Sequence, residues 1–256
     1  MLTVWLKFRV GSGLLLLSLL AGCSAGDPAR PRDGAAGVGM ADAALHGGAA
    51  RTALNQTAAI LRSNPRDVGA LVRQGTALAQ LNQPDAAMEA YRRALAVDPT
   101  VPEALLGLGR IDLSRGDAAD AERMFTRLLA RESNDRTALN NLGVSLDLQA
   151  RHAEAREVYA KLLGIEPDNR AASVNLALSL SLSGQAARSV EMLRGPGSRP
   201  DATPRVRQDL AMALALSGSP REAEKLLRTD LSPVDAAAAL AGYEAFNDQP
   251  KYSTHR

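Results

Sequence analysis

Few residues of this chain are of the types that carry out catalysis or hold a metal ion. The three histidines, His46, His152 and His255, lie far apart, so a metal cluster among them would require distant segments to converge. Gly107 and Gly109 resemble part of a phosphate-binding loop, but no third glycine follows and no strand-like segment precedes them. We therefore predict no catalytic residues, no bound metal, no cofactor and no small-molecule substrate.

The single cysteine, Cys23, points to a different chemistry, because one thiol cannot form a disulfide within its own chain. Lys7 and Arg9 precede a leucine-rich stretch at residues 10–20, which is short for a membrane span and has the basic flank of a secretory leader. The residues that follow resemble the lipobox of bacterial lipoproteins: Leu20, Ala21, Gly22 and Cys23.

That resemblance implies that the leader is cleaved before Cys23 and that the cysteine carries a diacylglyceryl thioether. Two or more acyl chains anchor a protein stably without a membrane-spanning helix. Ser24 stands where an aspartate would retain such a lipoprotein at the inner membrane. We therefore expect a lipid-anchored protein on the periplasmic face of the outer membrane of a Gram-negative bacterium.

The elements that position any site are helices, because small residues recur at an interval of 34 within apolar helical patterns. One set lies on the first helix of each predicted pair: Gly75, Gly109, Gly143, Ala177 and Ala211. A second set lies on the second helix and includes Ala87, Ala121, Ala155 and Ala223. Large residues form a third set: Tyr91, Phe125, Tyr159, Leu193 and Leu227. The turn set is Asn82, Gly116, Ala150, Gly184 and Gly218.

This combination of period and residue types is the signature of the tetratricopeptide repeat (TPR). A single helix pair buries too little apolar surface to be stable alone, so the pairs must stack in a row. The fold class predicted is all α: a right-handed TPR solenoid of five to six helix pairs with a C-terminal capping helix. Gly195, Pro196 and Gly197 interrupt the pattern, and we expect them to truncate the second helix of the fourth full repeat.

The predicted organisation follows from these patterns and from the composition between them. It comprises a signal peptide at residues 1–22, a flexible tether at 23–40, a degenerate first repeat at 41–67, a repeat array at 68–230, a capping helix at 231–247 and a disordered tail at 248–256. Within the array the repeats are placed at 68–101, 102–135, 136–169, 170–200 and 204–230.

Charge excludes one class of partner. The full sequence has 30 basic and 28 acidic side chains, and removal of the leader would leave 28 of each. A net charge of zero offers no electrostatic footprint for nucleic acid, so we predict none as a partner.

The remaining candidate for function is a protein-binding groove on the first helices. Its predicted members face away from the contact between paired helices: Leu106, Asn140, Asn141, Val144, Leu148, Val174, Asn175, Leu178, Leu182, Met212 and Leu216. Such a surface would suit an amphipathic helix or an apolar peptide. The alternative is that these side chains cover one another or pack against the capping helix.

A closer resemblance lies in the last third of the chain. Residues 202–211, which read Ala-Thr-Pro-Arg-Val-Arg-Gln-Asp-Leu-Ala, and the Asp-Leu-Ser-Pro run at 230–233 are similar to the TadD-type lipoproteins of Flp pilus assembly, part of the tight-adherence (Tad) secretion machinery. The resemblance implies an outer-membrane adaptor that supports assembly of the pilus secretin, as a pilotin does, with Cys23 as its anchor.

Two other classes remain open at the level of sequence. A general periplasmic TPR scaffold of envelope or peptidoglycan machinery would show the same lipobox and repeats. An enzyme that uses the repeats as a frame is disfavoured, because no segment of the mature chain is left for a catalytic domain.

Overall fold

The structure is a computed structural model that describes residues 29–247, and within that range every regular element is an α-helix. Six consecutive helix pairs are followed by a single helix in this range, which confirms the predicted all-α class. The helices are α1 (Ala29–His46), α2 (Ala50–Ser63), α3 (Val68–Gln80), α4 (Pro84–Val97), α5 (Pro102–Arg115), α6 (Ala118–Leu129), α7 (Arg136–Leu148), α8 (His152–Ile165), α9 (Arg170–Leu182), α10 (Ala186–Gly197), α11 (Pro204–Leu216), α12 (Pro220–Leu227) and α13 (Pro233–Asn247).

The chain divides into two compact units between Ala90 and Tyr91, within α4. In the first unit α1 packs against α2 and α3. The core there consists largely of small residues, with Ala41, Ala53 and Ala77 fully buried. The Arg73 guanidinium donates to both carboxylate oxygens of Asp42 at 2.7 and 3.0 Å, which ties α3 to α1.

Helix α1 differs from the expectation for this segment. The predicted tether at residues 23–40 is wrong for residues 29–40, which lie within α1 together with the first residues of the degenerate repeat. The physical reason is tertiary: Ala41 and Leu45 are buried against α2 and α3, so packing stabilises a helix that composition alone disfavours. Lipobox residues Leu20 to Cys23 and the tail at 248–256 lie outside the described residues.

Four of the first helices are preceded by a polar capping residue at equivalent positions of the repeats. This set was not identified from the sequence. The side chains of Asp67, Asp135, Asn169 and Thr203 each accept a hydrogen bond from the backbone N–H three residues later. Each caps the otherwise unsatisfied amino end of its helix. The set recurs in step with the repeats, and at the one skipped position Val101 is followed by Pro102, which suits a first helical residue.

The turns between paired helices confirm the predicted turn set. All five members have a positive φ, from 56° at Asn82 to 90° at Gly218. Ala150, at φ 59°, is the member with a Cβ and no polar side chain, so it adopts this backbone at a steric cost.

In two pairs of the second unit, α5 with α6 and α7 with α8, the helices meet where a glycine on the first helix faces an aromatic ring on the second. A Cβ added at Gly109 would lie 2.6 Å from Phe125 Cε1, and one added at Gly143 would lie 2.3 Å from Tyr159 Cε1. Tyr91 instead lies against Gly107 of the following repeat, where a Cβ would be 2.4 Å from its Cζ. Phe125 and Tyr159 therefore fill the contact inside their own pairs, while Tyr91 fills the contact with the pair that follows.

The expected truncation at residues 195–197 does not occur, because α10 continues to Gly197 with Pro196 inside its last turn. Gly197 is buried, and a Cβ there would lie 2.7 Å from Leu210 Cδ2. The glycine thus allows the end of α10 to pack closely on α11, which holds the last turn in place.

The chain ends, within the described residues, on α13, which packs against α11 and α12. Ser232 caps its start: the Ser232 hydroxyl donates to Asp235 Oδ2 at 2.7 Å and accepts from the Asp235 N–H at 3.2 Å. Ala236 is fully buried in the core beneath it. A search of residues 29–247 for a helix with the length and apolar character of a membrane span finds none.

Candidate functional site

The candidate site is the face formed by the first helices α5, α7, α9 and α11 of the second unit. Consecutive members of this series pack side by side. Side chains four residues apart lie on the same face of one helix. Residues 34 apart occupy equivalent positions on successive first helices, so these faces form continuous rows. We call this surface the first-helix face.

An apolar row runs along the carboxyl-terminal half of this face. Its members are Val144 and Leu148 on α7, Leu178 and Leu182 on α9, and Met212 and Leu216 on α11. Leu148 is 59% exposed, and the other five are half-buried. Each therefore keeps apolar surface that a partner could cover, as the predicted groove requires.

A polar row lies about one helical turn away, towards the helix starts. Asn175 Nδ2 donates to Asn140 Oδ1 at 2.9 Å, and Arg205 Nη2 donates to Asn175 Oδ1 at 3.4 Å. Asp209 follows, with its Oδ2 atom 3.8 Å from Arg205 Nε. These four side chains form the polar row and link α7, α9 and α11.

Burial governs the electrostatics at the end of the polar row. The side chain of Asp209 is 14% exposed, and burial raises the pKa of its carboxyl group, while Arg205 opposes the shift. Burial also raises the pKa of Tyr243 on α13, and the neighbouring Asp209 charge adds to the effect. Arg205 itself is largely exposed, so it presents its guanidinium to solvent beside the two asparagines.

The other predicted groove members divide by burial. Leu106 and Asn141 are half-buried, and Leu106 packs against the core of Leu105, Leu128 and Ala138. Val174 differs: it is 7% exposed and lies in the hydrophobic core with Val190 and Val206, so it supports the face from beneath. Asn175 is 8% exposed. Its amide group donates to Asn140 and accepts from Arg205, so it already has hydrogen-bond partners within the chain.

The small and large repeat residues are buried as a structural role requires. Exposure is 4% or less at Tyr91, Phe125, Tyr159, Ala87, Ala121, Ala155, Ala177, Ala211 and Ala223. Gly75, Gly109 and Gly143 are buried as well.

A buried polar cluster at the α7–α8 turn was missed by sequence reasoning. Asp147 accepts hydrogen bonds from Ser179 Oγ at 2.7 Å and from the Tyr159 hydroxyl at 3.2 Å, and its Oδ1 lies 2.8 Å from His152 Nδ1. Burial raises the pKa of Tyr159, which keeps its hydroxyl a donor.

The residue types of this cluster are those of a hydrolase, but the arrangement is not. Ser179 is fully buried and donates directly to the carboxylate of Asp147, so no substrate could reach its oxygen. The cluster instead joins α7, α8 and α9 around the strained turn at Ala150. Across residues 29–247, no group of three or more His, Cys, Asp or Glu side chains is arranged to hold a metal ion.

Comparison with known proteins supports the repeat assignment. Three family models described as tetratricopeptide repeat match residues 38–102, 78–143 and 137–169, which together span half of the chain. A search of curated proteins finds no match.

Solved structures resemble the chain in fold. PilW, described as a widely conserved type IV pilus biogenesis factor, superposes with a TM-score of 0.67 at 20% identity, covering 80% of this chain and 98% of PilW. Pseudomonas aeruginosa pilF gives 0.68 at 17% identity, covering 84% and 98%. A tetratricopeptide repeat protein from Parabacteroides merdae gives 0.59 at 14% identity, covering 89% and 90%. At these identities the likeness concerns the fold alone.

Proposed function

Because this chain belongs to the tetratricopeptide-repeat proteins, we propose that it is a non-enzymatic adaptor whose first-helix face binds a segment of another protein. The observation that carries the proposal is the pairing of the apolar row with the polar row. An amphipathic helix has the same two-sided character, so its apolar stripe could cover the leucines while its polar flank meets Arg205 and Asn140.

The finer proposal is that the partner is the outer-membrane secretin of the Flp/Tad pilus, or another component of that machinery. It rests on the TadD-like segments at residues 202–211 and 230–233. The fold likeness to PilW and pilF, whose names refer to pili, is in keeping with it. Cys23 would anchor the adaptor in the outer membrane through its acyl chains.

The groove is tested by two matched substitutions. Leu148→Asp places a charge on the apolar row, and Ile165→Asp places one on the second-helix side, where Ile165 is 40% exposed. Because both side chains are exposed, neither change should unfold the protein. We expect Leu148→Asp to abolish co-purification with the secretin and Ile165→Asp to preserve it.

A stronger perturbation checks the same surface. Leu178→Asp combined with Leu182→Asp introduces two charges on α9, and we expect release of the partner with an intact circular dichroism spectrum. If the secretin still co-purifies with this variant, the groove is not the binding site. If crosslinking from position 148 in cells captures a peptidoglycan or envelope enzyme in place of a pilus protein, the general scaffold replaces the pilus adaptor.

The anchor has its own experiment. Cys23→Ser removes the only thiol, and we expect the protein to disappear from the outer-membrane fraction and accumulate as an uncleaved precursor. Unchanged recovery in that fraction would contradict lipidation while leaving the groove proposal intact.

A further inference from the structure

One acidic residue occupies a position that is leucine in every other full repeat. The set at this position is Leu78, Asp112, Leu146, Leu180 and Leu214. Asp112 is 7% exposed, about as buried as the leucines of the set. A carboxylate in a leucine site lowers stability unless it gains a partner, because its charge is removed from water.

Asp112 lies at the base of a cleft on the second-helix side of the second unit, between α4 and α6. The cleft has a volume of about 410 Å³, which is in the range of small-ligand sites. Leu95, Leu108 and Met124 provide apolar wall, and arginines stand around the opening. The full lining is Arg92, Leu95, Ala96, Leu108, Asp112, Asp120, Arg123, Met124 and Arg127.

Nothing within residues 29–247 donates a hydrogen bond to the Asp112 carboxylate. Burial raises the pKa of this group, the charge of Asp117 adds to the shift, and Arg92, Arg115 and Arg123 partly oppose it without reaching hydrogen-bond distance. The carboxylate is therefore partly desolvated and has no direct hydrogen-bond partner among the described residues.

The arginines around the opening are not equivalent. Arg123 forms an ion pair with Asp120, and Arg127 Nη2 donates to the carbonyl oxygen of Pro99 at 2.6 Å. Arg92 is exposed and, among the described residues, has neither a hydrogen bond nor an ion pair. The cleft thus has a carboxylate without a hydrogen bond at its base and a guanidinium at its edge that acts on it only through its charge.

We propose that this cleft binds a lysine or arginine side chain of a partner protein, with an acidic residue next to it in the partner sequence. The ammonium or guanidinium group meets Asp112, and the aliphatic stem lies along Leu95, Leu108 and Met124. The neighbouring acid of the partner pairs with Arg92. Seven of the nine lining residues lie on the second helices α4 and α6, and none of the nine belongs to the apolar row or the polar row, so the site is independent of the function proposed above.

The test uses the full-length chain in detergent and a fluorescein-labelled peptide, acetyl-Ala-Glu-Lys-Glu-Ala-amide, followed by fluorescence anisotropy. We expect saturable binding that weakens about 30-fold or more with Asp112→Leu, because a buried charge loses its partner. A matched peptide has norleucine in place of lysine. Its affinity for the native chain should be no higher than the affinity of the lysine peptide for the Asp112→Leu variant.

Asp112→Leu is also the stability control, since it restores the leucine set, and we expect it to melt at a higher temperature than the native chain. Asp112→Asn, which keeps the shape, should lose binding in the same way. Arg92→Ala should weaken the Glu-Lys-Glu peptide several-fold and leave a Gln-Lys-Gln peptide unchanged. Absence of saturable binding, binding of the norleucine peptide as tight as that of the lysine peptide, or binding by either Asp112 variant as tight as by the native chain would overturn the proposal.

Discussion

The repeats at residues 102–169 and those at residues 170–230 bring their paired helices together in two different ways. In the first region Gly109 faces Phe125 and Gly143 faces Tyr159, so an aromatic ring fills the place of a missing side chain. In the second region Ala177 and Ala211 share a core with Leu193 and Leu227. The two members of each pair are 16 residues apart in both regions.

The comparison shows that these two positions exchange volume. A glycine is combined with a ring, and an alanine, which has one more carbon, is combined with a smaller leucine. Close packing requires the summed side-chain volume of the two positions to stay nearly constant, because protein interiors have few voids and tolerate little added volume. A small residue and a large one are therefore not separate requirements of the repeat but two parts of one contact.

Exchanging one member of a pair should cause the largest effect. Gly143→Ala introduces a Cβ 2.3 Å from a ring that is 1% exposed and held by Asp147, so we expect a loss of about 3 kcal/mol in the free energy of unfolding in urea. Gly164→Ala is the control, since no atom lies near its added Cβ, and it should stabilise α8 by about 1 kcal/mol.

The double variant Gly143→Ala with Tyr159→Leu recreates in the first region the pair found in the second. We expect a favourable coupling of at least about 1 kcal/mol between the two changes in a double-mutant cycle. Additive losses would mean that the two positions do not share volume.

The second region has a departure of its own, at Ser189. Its equivalents are alanines, it is fully buried, and its hydroxyl has no hydrogen-bond partner among the described residues. We expect Ser189→Ala to raise the free energy of unfolding by about 1 to 2 kcal/mol. A loss of stability would show that the hydroxyl is satisfied, for instance by a buried water.

The first region departs from the repeat pattern at the turn residue Ala150. Gly184 holds the equivalent place in the second region with φ 80°, where glycine adopts the conformation without strain. Ala150→Gly should therefore stabilise the protein by about 1 kcal/mol, and Gly184→Ala should destabilise it by a similar amount. Thermal unfolding of the two variants gives the comparison directly.

The smallest effect concerns pH and the polar row. Because burial raises the folded-state pKa of Asp209 above 3.8, the folded chain binds its proton more tightly than the unfolded chain does. Stability therefore falls as pH rises from 3.8 through the folded pKa and then levels off. We expect Asp209→Asn to gain stability over the native chain across that window, measured by urea unfolding at several pH values. A difference that stays constant with pH would contradict the shift.

The class of fold and the register of the repeats can be predicted from the amino-acid sequence. A period of 34 can be read without coordinates because each repeat meets its neighbours in the same way, so equivalent contacts select equivalent residue types. The positive φ at all five members of the turn set follows from the same logic. The capping set at Asp67, Asp135, Asn169 and Thr203 and the acid at Asp112 were equally visible at that spacing, although apolar patterns alone did not single them out.

Which side chains remain exposed for a partner depends on how neighbouring helices pack. Val144 and Val174 are both valines on first helices, yet one is half-buried on the surface and the other belongs to the core, because availability depends on what the neighbouring pair covers. The same reason explains helix α1, which is stabilised because Ala41 and Leu45 pack against α2 and α3. Local sequence sets the conformational preference of a segment. Burial depends on the contact between two segments, so the sequence of one segment alone does not predict it.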